Sequence, residues 1–367
     1  MGRYGRWGSA ALAVVLLGAS FLYIRFLTVA GRFTTINQPV PAACETLAAV
    51  PGPEDIVIDP QRGFAYVAAT DRRLIMKGGA GADAVRGGIY VINTNQPVAG
   101  WELRPVTPNE PESFRPHGLG FLIDEAGGRS LFVVNHPAGG ADTVEIFDVA
   151  TDGELTHRRT VSDPLFVSLN DVQPVGRDAF YATNDHGPGG EFWRMVQDFL
   201  MLDRANLVYF DGETARIAAD GLSFANGVNI SPDGETVYVA ETIGMGLRIY
   251  ARDPATGMLT LSDYVALGTG VDNIDVLPDG TLLIGAHPKL LDFLDHVDDP
   301  AALSPSQVVL ITPDEGGGGA ARTIYLNFGE EISGSSVAAG YGEIMMIGAV
   351  FEPKILICQR DLDVIVP

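Results

Sequence analysis

Six times along the chain a short polar pair runs into an apolar residue, and a strand, a tight turn and a second strand follow. The pairs are Glu54-Asp55, His117-Gly118, Asn170-Asp171, Asn226-Gly227, Asp272-Asn273 and Ser335-Ser336. The apolar residues are Ile56, Leu119, Val172, Val228, Ile274 and Val337. Turns such as DPQRG, SPDG and LPDG come next, then strands such as AYVAATD, VYVAET and LLIGAH. The pairs recur roughly every 46 to 63 residues, the length of a propeller blade. The repeat predicts an all-β, six-bladed β-propeller, which aims the same corner of every blade at one central channel.

A propeller of this size is a single closed unit, here residues 44–367. The 44 glycines and 23 prolines suit many short strands joined by many turns. A net charge of -22 argues against nucleic acid, whose phosphates require stripes of lysine and arginine.

Ahead of this unit, Gly8 to Ile24 is uncharged, follows Arg3 and Arg6, and is closed by Arg25. At about 17 residues it is at the lower limit of a membrane span and longer than a usual signal-peptide core. No convincing small-residue cleavage site follows Ile24. Residues 1–30 are therefore read as an uncleaved signal anchor, with a cleaved signal as the alternative; either places the propeller outside the cytoplasm. Residues 31–43 read as a linker. The two cysteines, Cys44 and Cys358, stand near the two ends of the exported unit. In an oxidising compartment they are expected to pair and close the ring; two buried free thiols are the alternative.

Two stretches depart from strand patterning, 192–205 (FWRMVQDFLMLDRA) and 289–298 (KLLDFLDHVD). Apolar residues at helical spacing predict short helices there, either lids over the channel or packing on the outside. The glycine-rich segment 72–88 reads as a flexible loop beside the channel mouth. His157 and His296 belong to no motif and are expected at the surface.

The polar pairs offer carboxylate and amide oxygens and no sulfur. That hard donor set suits calcium better than magnesium, which keeps its waters, or zinc. Adjacent residues on an extended chain point in opposite directions, so the two members of a pair can serve two stacked ions. Glu54 and Asp272 would neutralise one, with Asn170, Asn226 and Asn273 as neutral ligands. Asp55 and Asp171 would neutralise the other, with the backbone carbonyl of Leu119. Any one Asn or Asp pair reads more readily as turn chemistry than as a ligand. Four pairs at one corner read as metal donors.

The motifs LNDV (169–172), ATNDHG (182–187), FANGVNIS (224–231), VDNI (271–274) and AHP (286–288) resemble the paraoxonase/arylesterase family. RPHGLG around His117, VVNHP around His136, PEDI around Glu54 and the terminal cysteines fit as well. The resemblance covers nearly the whole exported chain. It implies a calcium-dependent six-bladed propeller that hydrolyses lactones and aryl esters, with bridged terminal cysteines. It assigns Glu54, Asn170, Asn226, Asp272 and Asn273 to a catalytic calcium, and Asp55, Asp171 and the Leu119 carbonyl to a structural one. His117 and His136 match a histidine dyad that activates water; a carboxylate such as Asp272 is the alternative base. Asp185, His186, Phe224 and His287 match pocket residues. GPGGEF after His186 departs from the aromatic-rich run usual in the family, and Ala286 stands where a free cysteine is frequent. The alternatives are a sugar lactonase similar to gluconolactonases, or a membrane-tethered propeller that only binds.

Overall fold

In the computed structural model the described residues are 3–36, 38–79, 81–107, 110–314 and 316–360, with side chains from residue 12 onward. Twenty-four strands form six four-stranded antiparallel sheets. Five sheets use four strands in chain order, beginning with Pro53–Asp59, Pro116–Ile123, Leu169–Pro174, Ala225–Ile230 and Gly270–Val276. The sixth takes Ser335–Tyr341, Ile344–Ala349 and Lys354–Gln359 from the end of the chain and Cys44–Ala48 from its start. Cys44 lies opposite Cys358 in that register, and the two form a disulfide spanning 314 residues of sequence. The bridge holds closed the one sheet built from both ends of the domain. Loop-closure entropy makes it worth up to about 5–6 kcal/mol.

The core is a ring of seams rather than one centre. Among the described residues, six apolar clusters each join two neighbouring blades. Phe132 and Ile146 of the second blade, for example, meet Val172 and Phe180 of the third. Alternation along each strand supplies one apolar row to each flanking blade, so every blade needs both neighbours.

Each innermost strand begins at its polar pair, and there the pairing register slips in all six blades. The slips lie between Pro53 and Asp55, Pro116 and Leu119, Leu169 and Val172, Ala225 and Val228, Val271 and Ile274, and Ser335 and Val337. A bulge inserts an extra residue and re-aims its side chain. The pairs therefore sit at irregularities of the ladder rather than in regular strand. Two pairs carry glycine second for a steric reason. A Cβ on Gly118 would lie 2.5 Å from the Asn170 carbonyl oxygen, and one on Gly227 would lie 2.7 Å from that of Asp272.

Among the described residues four α-helices accompany the propeller: α1 (Arg3–Val29), α2 (Arg72–Met76), α3 (Glu191–Leu200) and α4 (Leu290–Asp298). Within α1, Leu12–Val29 has a mean hydropathy of 2.1 and no buried residue, long and apolar enough to cross a membrane. The segment read as a linker is docked: Val40 and Leu326 exchange backbone hydrogen bonds of 2.9 Å. The start of the expected flexible loop is instead α2, capped by the Asp71 carboxylate on the Leu74 N–H. Helices α3 and α4 fall on the two stretches expected to be helical, and both roof the channel.

Candidate active site

The roofed end of the channel encloses a cavity of about 640 Å³. Its floor is the bulged starts of the inner strands, presenting Glu54, Asn170, Asn226 and Asp272. One wall carries His117, His136 and Asp142; the other carries Asp185, Phe224 and His287. The roof is apolar: Phe26 and Val29 from α1, Met76 from α2, Leu290, Phe293 and Leu294 from α4, and Phe351. Phe26 stacks on Phe199 of α3 at 5.2 Å, and the Leu291 N–H of α4 donates to the Ala30 carbonyl.

Several buried oxygens on or beside the floor lack a hydrogen-bond partner: Asn170 Oδ1, Asn226 Oδ1, Asn273 Oδ1, and Glu54 Oε2, which has only ion-pair contacts of 3.5 Å to Arg72 and His117. Such groups cost roughly 1–3 kcal/mol each when left so, which marks a place built for a ligand that takes lone pairs. The remaining polar atoms hold these side chains in position. Asn273 Nδ2 donates to Glu54 Oε1 at 2.9 Å, and Asn226 Nδ2 donates to Thr242 at 3.0 Å. His287 Nε2 meets Asp272 Oδ2 at 2.8 Å under the Phe293 ring.

Charge points the same way. Burial pushes the Asp272 carboxyl up, against the His287 bond. Burial would also raise Glu54, but His117 and Arg72 outweigh it and hold that carboxyl down at about 2. Arg72, from α2, is the nearby cation, 3.5 Å from Glu54 Oε2. One guanidinium cannot balance this many buried acids, and a bound divalent cation would. Among the described residues no three His, Cys, Asp or Glu side chains cluster as a metal site. The donors that do converge are mostly amides, which suits a hard cation taking neutral oxygens and fits calcium.

Asp55 and Asp171, the second members of their pairs, form another layer, off the cavity. Asp55 accepts from the Ile56 N–H at 2.8 Å and from the Leu119 N–H of the next blade at 2.6 Å. Asp171 accepts from Val172 and from Val228 of the next blade, both at 2.7 Å. Burial, then Asp171 and Glu54, push Asp55 well above the usual carboxylate range. Burial pushes Asp171 up in the same way despite its N–H bonds. Ser336, without a role in the sequence reading, staples the last blade to the first through the Glu54 carbonyl at 2.6 Å.

His117 Nδ1 and His136 Nε2 are 2.9 Å apart, and His117 Nε2 lies 3.5 Å from Glu54 Oε2. His186 is not on the cavity wall but behind it. It bridges Asp185 (2.8 Å) and Asp198 of α3 (2.9 Å), with Phe224 edge-on at 5.0 Å. Burial alone would lower this imidazole; the two carboxylates outweigh it and raise it to about 9. Phe224 adopts a positive φ of 58°, a strained conformation of the kind that collects at functional sites. Two expectations fail. His296 is buried, its Nδ1 2.7 Å from the Ala302 carbonyl oxygen, because it shares the inner face of α4 with Phe293, three residues earlier. His157 is half-buried and meets Glu145 at 2.8 Å. Sequence reasoning missed Arg72, Asp142 and Asp198. Asp142 sits six residues after His136, and that proximity was the available signal.

Solved structures share the fold. The luciferin-regenerating enzyme aligns with a TM-score of 0.53 at 12% identity, covering 89% of this chain and 96% of that one. A putative gluconolactonase gives 0.51 at 15%, covering 88% and 94%. Sequence relatives are much nearer. Residues 76–360 match the family described as Arylesterase. Serum paraoxonase/arylesterase 2 of Rattus norvegicus is 33% identical over 98% of this chain and 100% of its own length. The Homo sapiens protein of that name is 34% identical over the same shares. Serum paraoxonase/arylesterase 1 of Homo sapiens is 36% identical over 67% of this chain and 69% of its own length. With a third of its residues shared along the full length of such relatives, the chain belongs to the arylesterase family and is an esterase/lactonase of the paraoxonase type.

Proposed function

We propose that the chain hydrolyses lactones and aryl esters in the roofed cavity, with calcium held by Glu54, Asn170, Asn226, Asp272 and Asn273. The observation that carries this is the set of buried oxygens without a hydrogen-bond partner at the foot of the wall bearing the His117–His136 pair. When bound there, calcium supplies a Lewis acid for the ester carbonyl and charge to stabilise the developing oxyanion. His117 Nε2 takes a proton from the attacking water near neutral pH, and His136 orients it and shares the charge. The apolar roof seats the acyl chain and excludes bulk water. That lining favours lipophilic lactones over polyhydroxylated sugar lactones, the second substrate class considered.

A second calcium is proposed at Asp55, Asp171 and the Leu119 carbonyl, where two crowded buried carboxylates call for a cation. The unburied apolar helix α1 and the disulfide support an extracytoplasmic enzyme anchored in a membrane by residues 1–30. In this reading residues 44–367 are the catalytic domain.

The test is hydrolysis of long-chain lactones, sugar lactones and phenyl acetate with and without calcium. Chelation is expected to abolish turnover, reversibly at first, and full lactonase activity without calcium would end the proposal. His117→Gln is expected to lower lactonase kcat by about 10²-fold, and to affect the more activated phenyl acetate less. An unchanged lactonase rate would remove the histidine as base.

A further inference from the structure

We infer that Asp142 is a positioning residue for hydrolysis: it fixes the tautomers of His136 and His117 so that the free lone pair falls on His117 Nε2. The inference rests on the base role proposed for His117.

The geometry is a hydrogen-bond chain with a carboxylate at each end, anchored at Asp142, where the contact is 2.8 Å against 3.5 Å between His117 Nε2 and Glu54 Oε2. Asp142 Oδ1 lies 2.8 Å from His136 Nδ1, and its other oxygen, Oδ2, accepts the Leu169 N–H at 2.8 Å. The carboxyl is held below its ordinary range: burial opposes this, but His136, the Leu169 N–H and Arg194 outweigh it. An ionised carboxylate only accepts, so His136 carries its proton on Nδ1. His136 Nε2 then has the lone pair and accepts from His117 Nδ1–H across 2.9 Å. A neutral His117 in this chain holds its single proton on Nδ1. Its Nε2, the nitrogen nearest Glu54 on the cavity floor, is left as the acceptor. Without a fixed acceptor at the far end, each ring could reverse, and reversal would protonate the very nitrogen that has to take a proton.

The proton count closes. Water gives a proton to His117 Nε2 as its oxygen bonds to the acyl carbon. His117 Nδ1–H can pass to His136 Nε2, leaving an imidazolium against the Asp142 carboxylate, and the proton returns to the leaving alkoxide by the reverse route. Asp142 remains ionised throughout, as expected of a carboxylate that orients an imidazole. The Leu169 bond matters equally. It ties the hairpin segment holding Asp142 to the strand that presents Asn170, so base and floor are positioned from one element.

This predicts an inverted order of severity for two variants. In Asp142→Asn the Leu169 N–H still demands an oxygen, which turns the amide NH2 toward His136 Nδ1. His136 would then hold its proton on Nε2 and donate to His117 Nδ1, placing the His117 proton on Nε2. Asp142→Ala leaves both tautomers accessible. The near-isosteric change is therefore expected to be the worse one. Lactonase kcat should fall about 10²–10³-fold in D142N and about 10-fold in D142A, with KM within about twofold in both. A merely structural Asp142 would give the opposite order, and that result overturns the inference. Nitrogen-15 NMR of the wild-type imidazoles gives a readout independent of turnover and of variant folding. A His136 proton on Nδ1 supports the assignment, and one on Nε2 overturns it. His117→Gln separates the two readings: if it leaves lactonase activity intact the base role itself fails. If it removes activity while D142N does not, only the role of Asp142 fails.

Discussion

Asn170 and Asp171 are neighbours in one strand, buried to a similar depth, yet the structure uses them in opposite ways. The Asn170 oxygen looks into the cavity and bonds to nothing, whereas both oxygens of Asp171 are occupied by backbone N–H groups. Glu54 and Asp55 divide in the same manner, one reaching the cavity floor and the other stapling the Leu119 N–H of the next blade. At these two pairs a slip in the strand register coincides with one side chain facing the cavity and its neighbour tying two blades together. The adjacency teaches that a propeller can place its reactive ring beside its mechanical one without added structure.

The sharpest way to break this comparison is to truncate the two neighbours separately. Asn170→Ala removes an oxygen that the fold does not use. It is expected to lower lactonase kcat/KM by about 10³-fold, since even the outer partners of a metal are worth 10–100-fold. Its urea midpoint in chelator should match wild type. Asp171→Ala orphans the Val172 and Val228 N–H groups between two blades. It should cost about 3 kcal/mol in equilibrium unfolding, even in chelator where no ion can contribute. An unstable Asn170→Ala or a fully stable Asp171→Ala would erase the division of labour. If Asp171→Ala loses further stability only when calcium is present, the second layer holds an ion as well as a staple.

How the site relates to the sequence follows from the same division. The pairs, the sixfold repeat and the closing cysteines were legible because each is local in sequence or repeated, and the ring brings equivalent corners together. The register slips were not, because a bulge is settled by how closely the next blade approaches, as at Gly118 and Gly227. Arg72 was missed because it opens the segment 72–88, which reads as a loop but begins in α2, and Asp142 because HPAGGAD reads as a turn. A turn-rich sequence indicates that the chain reverses, not which side chain the reversal delivers. His296 was misplaced because its lone polar ring hid the i, i+3 relation to Phe293 that faces it inward.

The residue behind the cavity wall, most removed from the reaction, offers the smallest and most easily signed effect. His186 joins Asp185 on the cavity wall to Asp198 on the roofing helix α3, so its charge ties the lid to the blade. Its folded pKa is raised from 6.5 to about 9. A raised value means that the folded state binds the proton more tightly. The stabilisation is therefore fully present below about pH 6.5 and is lost as pH climbs through about 9. Because Asp198 is partly exposed, water screens its share, leaving about 1–2 kcal/mol. Wild-type protein should lose that much stability between pH 6.5 and 9.5 relative to His186→Gln, which should be nearly flat over the window. Equal slopes would show that the lid is held by the Phe26–Phe199 stack and its apolar neighbours instead, and would confine the electrostatic work of this end of the propeller to the floor.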